Sequence, residues 1–97
     1  MKQVYFAVQG TSDVGFSVID ENNEEIGNFH LAVHESAFGG VAVVTLLENN
    51  KIIRSHVINT GLENELDFGT IKTEVSDEEM HVFAFVEPNG KIIVSVK

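Results

Sequence analysis

The chain contains no cysteine. That excludes a disulfide framework and thiolate chemistry, and it favours a reducing compartment or a virion. Tryptophan is absent and there is one tyrosine, so little is available to stack a sugar ring. Basic residues are scarce: six lysines and arginines stand against fifteen acids, for a net charge of −9 and a pI near 4.6. A protein that tracks phosphates needs the opposite sign, so direct nucleic-acid binding is not expected. Adhesion to anionic membranes is disfavoured for the same reason. No apolar run approaches the ~20 residues needed to span a bilayer. The opening Met1-Lys2-Gln3-Val4 does not read as a signal peptide. The expected location is the cytoplasm or a virion.

The motifs of common chemistries are missing as well. Neither G-x-G-x-x-G nor G-x-x-x-x-G-K-[ST] occurs, so no phosphate-cradling loop is expected. Gly10-Thr11-Ser12-Asp13-Val14-Gly15 approaches a nucleophile elbow, but its second glycine comes one place late. The histidines are His30, His34, His56 and His81. On a strand, His30 and His34 lie roughly 13 Å apart, too far for one zinc; on a helix they would be neighbours. The segment from Asp20 resembles a calcium loop only at Asp20, Asn22 and Glu24. Glu25 stands where glycine is required and Leu31 where a bidentate glutamate belongs. No cofactor and no catalytic residue is expected.

What the chain does have is β-branched. Valine and isoleucine total 22, while alanine and leucine total 10. Such side chains are stiff at χ1 and fit a pleated surface. Val4, Phe6 and Val8 alternate with polar or smaller residues; so do Val14, Phe16 and Val18, and Ile92, Val94 and Val96. This pattern predicts strands at 2–9, 14–20, 25–34, 40–48, 51–59, 66–75, 80–87 and 91–96. Residues 31–38 also fit a helical spacing, and Ser76-Asp77-Glu78-Glu79 fits a capping box. Glu87-Pro88-Asn89-Gly90-Lys91 reads as a hairpin with a two-residue type I′ turn at Asn89-Gly90, and Glu48-Asn49-Asn50-Lys51 as a second hairpin turn, because asparagine and glycine accept positive φ.

The 97 residues make one domain, 1–97. Its expected fold is an all-β antiparallel sandwich of seven or eight strands, immunoglobulin-like in broad shape, with a small β-barrel as the second choice.

Two functional expectations follow. In antiparallel strands every second turn lies at the same end. The turns after the second, fourth and sixth strands carry Asp20, Glu21, Glu24, Glu25, Glu48, Asp77, Glu78 and Glu79, with Lys51 as the lone base. This acidic pole is expected to face a basic protein partner. Second, Val41-Ala42-Val43-Val44-Thr45-Leu46-Leu47 and Met80-His81-Val82-Phe83-Ala84-Phe85-Val86 have no clean polar side. A sandwich leaves one face of each strand in water. Ala42, Val44, Leu46, Phe83 and Phe85 are therefore expected to meet another chain, giving a homo-oligomer. The resulting functional expectation is a non-enzymatic interaction or assembly module, of the kind found as a small accessory or structural component in a phage or bacterial assembly. The alternatives are an acidic inhibitor that imitates nucleic-acid charge, and a cation-binding β module.

Overall fold

The computed structural model describes residues 3–4, 13–37, 39–73, 77 and 79–96. They form β1 (Gln3–Val4), β2 (Asp13–Ile19), β3 (Glu25–Glu35), β4 (Val41–Glu48), β5 (Lys51–Asn59), β6 (Asn64–Lys72), β7 (Glu79–Val86) and β8 (Ile92–Val96). The segment with helical spacing is strand as far as Glu35. Residues 74–76 and 78, which include Ser76 and Glu78 of the capping-box sequence, lie outside the described residues.

Two antiparallel sheets result, in the orders β1-β2-β3-β4-β5 and β6-β7-β8. They are the two layers of the expected sandwich. The likeness to an immunoglobulin domain is one of layers. Among the described residues each hydrogen-bonded strand pair joins neighbours in sequence, so the chain runs as a meander, whereas immunoglobulin domains use Greek-key connections.

Each sheet turns one face inward. Val14, Phe16 and Val18 of β2, Phe29 and Leu31 of β3, and Ala42, Val44 and Leu46 of β4 meet Leu66, Phe68, Met80, Val82, Ala84, Ile92 and Val94 of the smaller sheet in a single core. Burial alternates strictly along β2 and β7, which is what a period of two along a pleated strand requires. Phe16 stacks on Phe29 at 5.3 Å between ring centres.

The turns follow their residues. Asn49 and Asn50 both have positive φ, 50° and 66°, and Glu48 pairs with Lys51. The predicted hairpin is thus closed by a two-residue type I′ turn, the type expected instead at Asn89-Gly90. The Glu87–Lys91 turn is different. Gly90 N–H donates to the Glu87 carbonyl and Glu87 N–H to the Lys91 carbonyl, both at 2.8 Å, and Gly90 alone there has positive φ. Pro88 sets φ near −65°, which suits the first central position of a type I turn, so the loop has three residues with Gly90 as its left-handed last member. The 20–24 turn repeats this design, with Asn23 at φ 62°. Its Asn23 N–H donates to the Asp20 carbonyl, and its Asp20 N–H to the Glu24 carbonyl.

Candidate functional site

Register decides which side chains face outward. Leu31 pairs with Leu46 and Val33 with Val44, so the even-numbered residues of β4 follow the core face of β3. Ala42, Val44 and Leu46 are accordingly buried between the two sheets, at 1%, 0% and 0% exposure. This corrects the expectation that they meet another chain. β4 is apolar on both faces, and alternation alone does not say which one turns inward; the cross-strand partners on β3 do.

The outward face is the other one. His34, Val43 and Val57 form one cross-strand row, Ala32, Thr45 and Ser55 the next, and His30, Leu47 and Ile52 a third. None of the nine is a lysine, arginine, aspartate or glutamate. Val57 and Ile52 are 72% and 71% exposed. Thr45 and Ser55 share a hydrogen bond of 3.0 Å at the centre of the patch. The His30 ring lies over Gly15, where an added Cβ would stand 3.3 Å from Nε2.

The acidic pole is partly assembled. Thr73, just after β6, packs its methyl group near Gly27 of β3, so the end of β6 and the start of β3 share one end of the sandwich. Glu48 pairs with Phe29, four residues inside β3. The β2–β3 turn therefore projects roughly 13 Å beyond the β4–β5 turn. Glu48 points toward the core face and is 6% exposed, so it leaves the exposed set. Asp20 is committed to its own turn, where its Oδ1 accepts the N–H groups of Asn22 and Glu24 at 2.8 and 3.0 Å. Glu25 accepts the Ser17 hydroxyl at 2.8 Å. Glu21, Glu24, Asp77 and Glu79 are exposed, and Glu78 lies outside the described residues. Among the described residues no three metal-ligating side chains converge.

The outer face of the small sheet has a third character. Phe83 and Phe85 lie there half-buried. Glu65 pairs with Phe85 and Asp67 with Phe83 on one flank, and Ile93 and Ser95 pair with the same two phenylalanines on the other. These residues line a shallow groove together with Leu66 and Ala84. His81 stacks flat on Phe83 at 4.3 Å between ring centres.

A bulge in β6 shapes this region. The register shifts between Asp67 and Thr70, and Gly69 there has φ 78°. Asp67 Oδ1 accepts the Gly69 N–H at 2.7 Å and meets His81 Nε2 at 2.5 Å. The His81 hydrogen bond, followed by that of Gly69, holds the Asp67 carboxyl below its ordinary value. From the other sheet, His56 Nε2–H donates to the Asp67 carbonyl at 2.8 Å, and its ring meets Phe68 edge-on. His56 and Asp67 thus tie the two sheets at their shared corner.

The loop-centred expectation passed over the β6 acids. The signal was present: Glu63, Glu65 and Asp67 occur at every second position. Comparison with protein-family models, with curated proteins and with solved structures finds no match.

Proposed function

We propose that this protein is a self-associating interaction module whose outer face on β3, β4 and β5 meets the same face of a second copy. One observation carries the reading: across β3, β4 and β5 three consecutive cross-strand rows hold no charged residue, with Asp13 of β2 standing at their edge beside Ala32, in a chain of net charge −9. Two such chains repel wherever their carboxylates oppose one another. This patch can approach its own image without opposing any. Its exposed Ile52 and Val57 supply apolar area, and removing such area from water favours association. Such a module would serve as an accessory or structural component of a larger assembly.

The test is mass by light scattering or sedimentation from micromolar to millimolar concentration. The wild-type chain should show concentration-dependent oligomers. Val57→Asp should give a monomer with unchanged circular dichroism, because residue 57 is already in water. A wild-type chain that stays monomeric at millimolar concentration ends the proposal.

A further inference from the structure

We infer that the groove on the outer face of β6, β7 and β8 binds an extended peptide of a partner protein with arginines at alternate positions. The floor is apolar and aromatic: Phe83, Phe85 and the 38%-exposed Ile93. One wall is acidic, because Glu65 and Asp67 project beside Phe85 and Phe83. Both carboxylates are exposed. Glu65 has no ion-pair or hydrogen-bond partner among the described residues, whereas Asp67 Oδ1 is held by His81 and Gly69, which leaves Oδ2 to meet a ligand.

The spacing selects the shape of the occupant. Residues i and i+2 of a strand stand roughly 6.8 Å apart. A peptide lying extended along β6 repeats its side chains at that same interval. Arginine suits the positions facing the wall. Its guanidinium grips a carboxylate through two parallel hydrogen bonds and also stacks on an aromatic face. Apolar residues between the arginines would face Phe85 and Ile93.

Charge disfavours a second copy here, because each copy of a chain of net charge −9 would bring its own Glu65 and Asp67 to the contact. This surface is distinct from the uncharged face on β3–β5, so each can fail without the other.

The test uses fluorescence anisotropy at low ionic strength with two labelled peptides of equal composition, Arg-Val-Arg-Val-Arg and Arg-Arg-Arg-Val-Val. The alternating peptide should bind at least about tenfold more tightly. Glu65→Gln should remove most of that preference, and Phe85→Ala should do the same by removing the floor. Glu21→Gln with Glu24→Gln, at the far turn, should leave it intact. Amide shifts on titration should cluster at β6–β8. Equal affinity for the two peptides would overturn the inference. So would undetectable binding, an equal loss with the far-turn variant, or a change in the chain's own oligomeric mass on Glu65→Gln.

Discussion

His81 Nε2 lies 2.5 Å from Oδ1 of Asp67, and the same oxygen accepts the N–H of Gly69. One exposed carboxylate therefore fixes a histidine on β7 and the bulge in its own strand. The first consequence concerns pH. The Asp67 pKa is lowered from 3.8, first by the His81 bond and then by Gly69. A carboxyl with a folded-state pKa below its unfolded value stabilises the fold above the unfolded pKa. That stability is lost as pH falls through the folded value. Melting temperatures of wild type and Asp67→Asn should differ at neutral pH, and the gap should close below about pH 4. A gap that stays constant down to pH 2 would disprove the assignment.

Gly69 should resist substitution chiefly through its backbone. Its φ of 78° is unfavourable for any residue with a Cβ, and an added Cβ would stand 2.5 Å from Arg54 Nη1. Gly69→Ala should cost about 1–2 kcal/mol from the backbone alone. In an Arg54→Ala background nearly all of that cost should remain, because the exposed Arg54 guanidinium is the end of a flexible side chain that moves aside. Denaturant midpoints of the two singles and the double variant would measure it.

Neighbouring leucines on β4 give a test of facing. Leu46 is fully buried, whereas Leu47 is half-buried on the outer face. Leu46→Ala should cost about 2–5 kcal/mol, the range for a core leucine. Leu47→Ala should cost clearly less. A larger loss for Leu47→Ala by urea denaturation would mean that the strand faces the other way.

Thr73 offers a stabilising change. It is 7% exposed, and its hydroxyl has no hydrogen-bond partner among the described residues. A buried hydroxyl without a partner costs about 1–3 kcal/mol. Thr73→Val keeps the shape and removes the hydroxyl, so it should raise stability by about 1 kcal/mol. For a chain of this size that corresponds to roughly 4–8 °C in melting temperature. A fall in the calorimetric midpoint would show that the hydroxyl has a partner.

Much of this fold was legible in the residues. Alternating valines marked β2 and β8 because a half-buried strand must alternate. Asn49-Asn50 marked a hairpin turn because asparagine enters the left-handed region more easily than most residues. What was not legible was set by contacts distant in sequence. Val41 to Leu47 is apolar on both sides, so its inward face depends on Leu31 and Val33 of the preceding strand. The burial of Glu48 likewise depends on its pairing with Phe29. Pro88 overrode the Asn-Gly signal by fixing its own φ. The alternation of Glu63, Glu65 and Asp67 was visible, but its meaning required Phe83 and Phe85 to stand beside it.

The meander also bears on how the chain reaches its native state. Each hydrogen-bonded ladder closes through a short local connection, so loop-closure entropy is small for every pairing except the docking of one layer on the other. Such a polypeptide should fold quickly for an all-β protein. A nick within 60–63 would part the two layers while leaving every backbone ladder whole, and the resulting halves should reassemble when mixed.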